Sequence, residues 1–293
     1  LPHLSRYIDL GDIHAISTNE YFGASIWQMF KWLKSPFKSV IKMALLEKYM
    51  HGYGKEALLC NKYKDEWMNS GTRLNLAQND SYYILLENLL AYYSRERDSE
   101  SMRILLTCFF LKLEITQDIQ IEKTVFGLRQ ILLNKCMEQW GWDKEKIFDV
   151  GNFKSWQYSQ IIALSATIEK YMVNKYKAVN RALEGLFQGK SMISAEDRTV
   201  LSRKILIEFT RQPGKVQRIL LVSRGDRHFH GLHLRYVNPA RTVGTWELIN
   251  RNTKVFVNSE EELIKAKTIE EICAWMINNR LYNESAVINL VPN

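Results

Sequence analysis

Apolar residues recur every three or four positions along the first two-thirds of the chain, the spacing typical of amphipathic helices. The segment 20–34 shows this pattern, with Phe22, Ile26 and Met29 on one predicted face. Ser35 and Pro36 then begin a second helix, because serine is a favourable N-cap and proline suits the first helical position. Its buried apolar stripe is predicted to consist of Val40, Ile41, Ala44, Leu45 and Tyr49. Helices are predicted over about residues 20–34, 36–50, 55–69, 80–93, 99–113, 121–139, 143–148, 155–187 and 194–210.

The pattern changes near residue 213, where alternation with period two replaces the helical spacing. Strands are predicted at 216–223, 231–237, 245–249, 254–257 and 286–291, with one helix over 259–279. The sequence therefore predicts an α+β fold. Its helical region would cover residues 1–212, and a small antiparallel sheet with a helix would cover residues 213–293.

The composition is that of a globular protein, since 46% of the 293 residues are apolar and 25% are charged. These values exclude a disordered chain. The net charge of +8 comes from 40 Lys and Arg against 32 Asp and Glu. Residues 151–250 contain 16 of the basic residues and 7 of the acidic ones, a balance of +9. This basic stretch predicts an acidic partner, which charge alone does not identify as a nucleotide, a nucleic acid or a protein domain.

The four cysteines, Cys60, Cys108, Cys136 and Cys273, lie far apart within helical patterns. We expect them to be buried free thiols in a reducing cytoplasm, and not disulfides or zinc ligands. No signal peptide is visible, and no apolar run approaches the roughly 20 residues of a membrane span. A cytoplasmic protein is therefore predicted. The chain starts at Leu1 and not at Met, and both ends are interpreted as cuts through a longer protein.

Lysines are predicted to gather where the first two helices meet. Lys38 and Lys42 are four positions apart and therefore share one face of the second helix. They lie in its N-terminal half, where free backbone N–H groups and the helix dipole favour an anion. Ser35 adds a hydroxyl there, and Lys31 and Lys34 approach from the end of the first helix. This pattern is compatible with a polyphosphate site, but a solvated lysine face between two core helices explains it equally simply.

Two other groups contain residue types that bind metals. Asp9 and Asp12 stand three positions apart, a spacing that suits either a metal or the capping of loops. His228 and His230 fall on one face of a predicted strand with His233 nearby, a pattern compatible with a metal and with an exposed basic hairpin. Neither group has a full set of ligands, so no metal site is predicted in this chain.

Gly23 lies inside the first predicted helix, where glycine costs about 1 kcal/mol relative to alanine. Close helix packing and close approach of a ligand are the two explanations for it. The sequence has no P-loop, dinucleotide-binding, serine-hydrolase or zinc-protease motif and no Asp-x-Asp pair. If Mg²⁺ takes part in phosphate chemistry, the acids that hold it lie outside this chain.

The segment Glu20–Lys31, E-Y-F-G-A-S-I-W-Q-M-F-K, resembles the signature of the enterobacterial-type class I adenylate cyclases, E-Y-F-G-[SA]-[SA]-L-W-x-L-Y-K. It departs at Ile26, Met29 and Phe30, with apolar or aromatic residues of similar size. The signature residues carried over are Glu20, Tyr21, Phe22, Gly23 and Trp27. The resemblance continues in chain order through residues 35–38 with 42, 45–49, 140–143, 201–204, 213–216 and 274–275, and so covers nearly the whole chain.

This resemblance implies part of an enzyme that converts ATP to cyclic AMP and pyrophosphate with Mg²⁺. A nucleotidyltransferase-like core upstream would hold the Asp-x-Asp pair and the metal, so that no catalytic residue is assigned to this chain. The candidates for binding the ATP phosphates are Lys31, Ser35, Lys38 and Lys42. The expected partners are ATP and the remainder of the same polypeptide, a catalytic core and a regulatory half. No nucleic acid and no membrane span are expected, and this segment by itself is expected to be inactive.

A rival function is a non-enzymatic helical interaction module that docks an acidic protein partner through residues 151–250. Nucleic-acid binding is a third function, and it predicts an affinity for DNA or RNA that falls steeply with salt. A Gly-Ser motif and an Asp-x-Asp pair encoded upstream would support the cyclase.

Overall fold

A computed structural model of the chain describes residues 15–69, 81–113, 134–135, 137–153, 156–186, 193–210, 215–219, 221, 231–238, 244–252, 259–281 and 288–291. The predicted helix 121–139 lies mostly, and the predicted strand 254–257 wholly, outside the described residues. The chain divides into two compact units, one of residues 1–153 and 170–206 and the other of residues 154–169 and 207–293. The predicted division between residues 212 and 213 stays a prediction.

The described part of the first unit is helical. Its helices are α1 (Thr18–Trp32), α2 (Pro36–His51), α3 (Leu59–Asn69), α4 (Ser81–Arg95), α5 (Ser99–Lys112) and α6 (Lys144–Gly151). Two further helices, α7 (Tyr158–Leu186) and α8 (Ala195–Phe209), contribute residues to both units. Among the described residues, no helix is both long and apolar enough to span a bilayer.

Side-chain caps determine where two of these helices begin. The Ser17 hydroxyl accepts a hydrogen bond from the Glu20 N–H at 3.3 Å, and the Glu20 carboxylate accepts one from the Ser17 N–H at 2.8 Å. This reciprocal pair is a capping box, and it starts α1. Helix α5 begins at Ser99, and its N-cap is Asp98, which accepts a hydrogen bond from the Ser101 N–H at 2.9 Å.

Helix α2 packs against α1, α4 and α5 in the first unit. Val40, Ile41 and Ala44 of its predicted apolar stripe are fully buried. Leu45 and Tyr49 were predicted to join that stripe, but they are half-buried and line a cavity described below. Truncation of a buried apolar side chain costs about 2–5 kcal/mol, so this packing holds α2 and the lysines on it in a defined position.

A four-stranded sheet and helix α9 (Ile269–Asn278) form the described part of the second unit, together with the start of α7. The strands are β1 (Leu232–Val237), β2 (Thr245–Asn252), β3 (Ser259–Ala266) and β4 (Ile288–Val291), in the order β3-β2-β1-β4. Strand β2 pairs antiparallel with β1 and β3, whereas β4 pairs parallel with β1. The predicted α+β fold is confirmed, but the sheet is mixed and not antiparallel. The difference arises because α9 carries the chain back between β3 and β4.

The segment 259–266 was predicted as the start of a long helix, and that prediction is wrong because it forms β3. Its glutamates favour a helix locally, but ion pairs across the sheet hold it beside β2. Arg251 lies 2.7 Å from the Glu260 carboxylate, and Lys265 lies 3.0 Å from that of Glu247. Tertiary pairing therefore overrides local helical propensity in this segment.

Residues 216–219, predicted as the start of a strand, form no strand. Their backbone groups bond to a side chain at the end of α9. The Ile219 N–H donates to the Asn279 side-chain oxygen at 2.6 Å, and the Asn279 amide donates to the Gln217 carbonyl at 2.8 Å. Because Asn279 satisfies these buried backbone groups, the segment does not need a neighbouring strand.

Candidate functional site

Three lysine ammonium groups surround the ring of Tyr82 on α4. The Nζ atoms of Lys38 and Lys42 lie 5.6 and 5.7 Å from the ring centroid, and the Nζ of Lys112 lies 3.7 Å from it. Lys38 and Lys42 come from α2, and Lys112 comes from the last turn of α5. The structure thus brings together two of the predicted phosphate-binding lysines and adds a third.

The electrostatics of this lysine cluster (Lys38, Lys42 and Lys112) favour an anion. Burial by itself would raise the pKa of the Tyr82 phenol, but the hydrogen bond from Lys38 and the charges of the three lysines outweigh it, so its pKa lies below the ordinary value. None of the three ammonium groups pairs with a carboxylate among the described residues. The three cations repel one another, and the face of the ring offsets this repulsion in part. A negatively charged ligand would remove the remaining repulsion among the three lysines.

The local sequence explains why these side chains share one face. Ser35 and Pro36 set the start of α2. Ser35, Lys38 and Lys42 follow at spacings of three and four, which place them on the same side of the helix. Ser35 holds the N-cap position as predicted, but its hydroxyl makes no capping hydrogen bond and can serve a ligand instead. Lys112 lies at the C-terminal end of α5, where the helix dipole favours a cation.

Lys31, the fourth predicted phosphate ligand, lies at the end of α1. Its backbone carbonyl accepts hydrogen bonds from the N–H groups of Lys34 at 3.0 Å and Ser35 at 2.8 Å. These bonds close the tight turn that joins the C-terminal end of α1 to the N-terminal end of α2. A role for the Lys31 ammonium group in binding phosphate stays a prediction.

A cavity of about 390 Å³ lies beside the lysine cluster, and Lys42 and Tyr82 form part of its wall. Its other lining is mostly apolar and comes mainly from α2, α3 and α4, including Leu45, Tyr49, Leu59, Cys60, Tyr63 and Ile84. Tyr49 joins α2 to α3, because its hydroxyl accepts a hydrogen bond from the Leu59 N–H at 2.8 Å. The volume lies within the range of small-molecule sites. The structure therefore places an apolar pocket next to a cluster of cations.

The signature segment on α1 has a buried side that serves the packing of the first unit. Tyr21 and Phe22 are buried. The Tyr21 ring meets that of Tyr49 edge-on, with 6.2 Å between the centroids, and burial together with neighbouring groups raises the Tyr21 pKa to about 12. The Glu20 carboxylate belongs to the capping box of α1. These three residues thus have structural roles in holding α1.

The other side of the signature segment is exposed. Trp27 is 61% exposed, although it is a large aromatic side chain. Apart from its chain neighbours and the backbone of its own helix, a Cβ atom added to Gly23 would meet no atom of the described residues within 4 Å. Close packing against the described part of the chain therefore does not explain Gly23, and approach of a ligand stays a prediction.

A buried polar network fixes α2 from the side of α4, α5 and α7. The Lys175 Nζ lies 2.8 Å from the Glu47 carboxylate and 3.2 Å from that of Asp98. The Tyr93 hydroxyl donates to Glu47 at 2.5 Å. Burial would raise the pKa of Asp98, but hydrogen bonds from Ser101 and the charge of Lys175 hold it below its usual range. Glu47 is therefore an anchor for α2, close along the helix to Lys42.

The two groups of residues that were weighed as metal ligands lie mostly outside the described part of the chain. Asp9, Asp12, His228 and His230 lie outside the described residues. His233 lies in β1, where burial and then a neighbouring arginine lower its pKa. No group of three or more His, Cys, Asp or Glu side chains in the described ranges could hold a metal ion. The described residues thus contain no three-ligand cluster for the Mg²⁺ of the expected reaction, and its position outside this chain stays a prediction.

The cysteines match the expectation of buried free thiols only in part. Cys108 is buried, Cys273 is half-buried and Cys60 is exposed, all three with free thiols. Cys136 lies outside the described residues. The exposure of Cys60 follows from its position near the start of α3, on the wall of the cavity. The predicted cytoplasmic location stays a prediction.

The basic stretch 151–250 is partly neutralised within the fold. Lys175 pairs with two carboxylates, as described above. Arg235 lies 2.9 Å from the Glu247 carboxylate and 3.4 Å from that of Glu260. Lys175 and Arg235 are thus paired within the fold, and docking of an acidic protein on the basic stretch stays a prediction.

Tyr82 and Lys112 are the candidate residues that sequence reasoning missed. Neither carries a local signal, because Tyr82 stands beside a second tyrosine in an apolar helix and Lys112 ends another apolar helix. They reach the lysines of α2 because α4 and α5 pack against α2. Contacts between such distant positions depend on tertiary packing, which spacing along the chain does not reveal.

Known proteins match this chain over nearly all of its length. The family described as adenylate cyclase, class-I, second domain, matches residues 16–220. The adenylate cyclase of Escherichia coli strain K12 is 28% identical over 281 residues, covering 94% of this chain and 32% of that protein. Those of Proteus mirabilis and Yersinia intermedia are 28% and 25% identical, covering 97% and 98% of this chain and 33% of each relative. No solved structure matches. The chain spans about a third of the length of these curated relatives.

Proposed function

The chain belongs to the class I adenylate cyclase family, and we propose that it binds the triphosphate of ATP in an enzyme that forms cyclic AMP and pyrophosphate. The proposed phosphate ligands are Lys31, Ser35, Lys38 and Lys42. The observation that carries the proposal is the convergence of Lys38 and Lys42, with Lys112, on the ring of Tyr82. The carboxylates and Mg²⁺ of the reaction are proposed to lie outside this chain, which by itself would be inactive.

The chemistry of cyclisation explains why lysines would be placed there. The ribose 3′ oxygen attacks the α-phosphorus, a new O–P bond forms, and the bond from the α-phosphorus to the oxygen bridging the β-phosphate breaks. The 3′ hydroxyl passes its proton to water or to a base outside the described residues. Pyrophosphate leaves with added negative charge. Ammonium groups held at the β- and γ-phosphates stabilise that charge most strongly in the transition state.

The electrostatics of the site support the same proposal. Three ammonium groups lie within 6 Å of one ring centroid, and none has a carboxylate partner in the described part of the chain. A triphosphate offers several anionic oxygens over a length that suits more than one lysine. Its binding would replace repulsion among the cations with charge-assisted hydrogen bonds, which are the strong ones in proteins.

The test replaces Lys38 or Lys42 by alanine in the complete gene product and measures KM for ATP and kcat. Loss of one charge-assisted hydrogen bond costs about 1.5–3 kcal/mol, so kcat/KM should fall roughly 10- to 150-fold. Lys177→Ala is the matched control, because Lys177 is an exposed lysine of α7, and its kinetics should stay close to wild type. If KM and kcat of both the Lys38 and Lys42 variants stay near wild-type values, the proposal is wrong.

A further inference from the structure

We propose that a purine nucleoside triphosphate binds this site in a single, defined orientation. Its base and ribose occupy the apolar cavity beside Lys42 and Tyr82, and its β- and γ-phosphates extend to Lys38 and Lys112. The inference rests on the proposed function, because it orients the ligand of the same site. It also adds Lys112 as a phosphate-binding residue and assigns a pocket to the nucleoside.

The first observation is that the cavity and the lysine cluster share a wall. Lys42 and Tyr82 line the cavity and also belong to the group of charges. Lys38 and Lys112 lie against the same Tyr82 ring, but the described cavity wall does not include them. A ligand with an apolar body and an anionic tail fills both parts. A polyphosphate alone would leave the cavity unfilled, and an apolar ligand would leave the cations without a counter-charge.

The second observation is the chemistry of the cavity wall. Tyr49, Tyr63 and Tyr82 give it aromatic faces, and leucine and isoleucine side chains complete it. Aromatic rings are the surfaces on which nucleobases stack. The hydrogen bond from the Leu59 N–H to the Tyr49 hydroxyl holds one wall in place, which lowers the entropy that binding must overcome. The volume of about 390 Å³ lies within the range of small-molecule sites.

The orientation of the nucleotide follows from the position of Lys42, which belongs both to the lysine cluster and to the cavity wall. Lys42 is the lysine of the cluster on the cavity wall, so it lies nearest to the α-phosphate of a nucleotide whose base is in the cavity. Lys38 and Lys112 lie near the same Tyr82 ring but are not part of the cavity wall, so they are assigned to the β- and γ-phosphates. Lys42→Ala should therefore weaken AMP, ADP and ATP alike. Lys38→Ala and Lys112→Ala should weaken ATP by roughly tenfold or more and leave AMP nearly unchanged.

Cys60 provides a direct probe of the cavity, because its exposed thiol lies on the cavity wall. Cys273 of the second unit is half-buried and serves as an internal reference. The complete gene product, without added Mg²⁺, is alkylated with iodoacetamide, and the peptides that contain Cys60 and Cys273 are quantified by mass spectrometry over time. At ATP or AMP concentrations of about ten times Kd, alkylation of Cys60 should slow roughly tenfold. Tripolyphosphate at equal occupancy should leave Cys60 reactive, and none of the ligands should change Cys273.

The outcomes separate this inference from the function on which it rests. If ATP displaces tripolyphosphate but leaves Cys60 as reactive as before, the nucleoside is not in the cavity. The inference then fails while the triphosphate site stands. The direction is wrong if Lys38→Ala weakens AMP as much as ATP. If Lys38→Ala and Lys42→Ala leave the affinity for tripolyphosphate unchanged, or if neither ligand binds, the proposed function fails and the inference fails with it.

Discussion

Replacement of Lys175 by methionine should destabilise the first unit by about 3 kcal/mol. The Lys175 side chain is 11% exposed, and its partner Glu47 is 13% exposed. Removal of one member of such a buried pair typically costs about 3–5 kcal/mol, because the other charge is left in a poorly solvated place. The second partner, Asp98, is 34% exposed and keeps contact with water, so it adds little. The expected loss therefore lies at the lower end of the range.

Urea denaturation followed by circular dichroism measures this loss, and thermal unfolding should show a fall in Tm of roughly 6–12 °C for a unit of this size. Lys177→Met is the matched control on the exposed face of α7 and should change stability by less than about 0.5 kcal/mol. Adding Glu47→Gln to Lys175→Met should restore part of the loss, because it removes the unpaired charge. If Lys175→Met is as stable as the control variant, the buried pair does not hold α2 as inferred.

Three further predictions concern stability. The pKa of Asp98 is lowered in the folded state, so its ionised carboxylate stabilises the fold above its unfolded pKa of about 4. This stabilisation is lost as the pH falls through the folded pKa. In urea titrations at decreasing pH, Asp98→Asn should therefore lose less stability than wild type, and equal losses would contradict this. Leu263 in β3 is 5% exposed, and Leu263→Ala should cost about 2–5 kcal/mol by urea denaturation. The exposed neighbour Glu262 should tolerate alanine within about 0.5 kcal/mol, and equal costs at the two positions would count against the strand. Thr268 caps α9 by accepting from a backbone N–H, so Thr268→Ala should lower stability by about 1 kcal/mol in the same assay, and an unchanged midpoint would argue against the cap.

The helices of the first unit could be predicted from local signals. The predicted helix 36–50 corresponds to α2 at Pro36–His51, because a serine–proline start and a regular apolar stripe act within a few residues of one another. Helix α5 was also predicted, over residues 99–113, and it spans Ser99–Lys112. Its N-cap is Asp98, whose carboxylate also pairs with Lys175, and this second contact is with a residue too distant in sequence to be foreseen.

Strand β3 shows why the second unit was harder to predict. The segment 259–266 is rich in glutamate and has a helical composition, so its local propensity points away from a strand. Its pairing is decided by Arg251 and other residues of β2 across the sheet. The parallel pairing of β4 with β1 likewise depends on the position of α9 between β3 and β4. Such information is tertiary and has no counterpart in periodicity.

Part of the candidate site could also be predicted from the sequence, and part could not. Lys38 and Lys42 were predictable, because a spacing of four on one helix fixes their common face. Tyr82 and Lys112 were not, because α4 and α5 must first pack against α2 before their side chains approach. The apolar cavity was also unpredictable, since its walls come mainly from three helices and its volume depends on how they pack.

The claim that this lysine cluster binds a triphosphate is tested most directly by calorimetric titration of the complete gene product with tripolyphosphate. Wild type should bind one equivalent, and the double variant with Lys38→Ala and Lys42→Ala should bind roughly 100-fold or more weakly, as expected for the loss of two charge-assisted hydrogen bonds. The control Lys177→Ala should bind as wild type does. Equal affinities for wild type, the double variant and the control would contradict the claim.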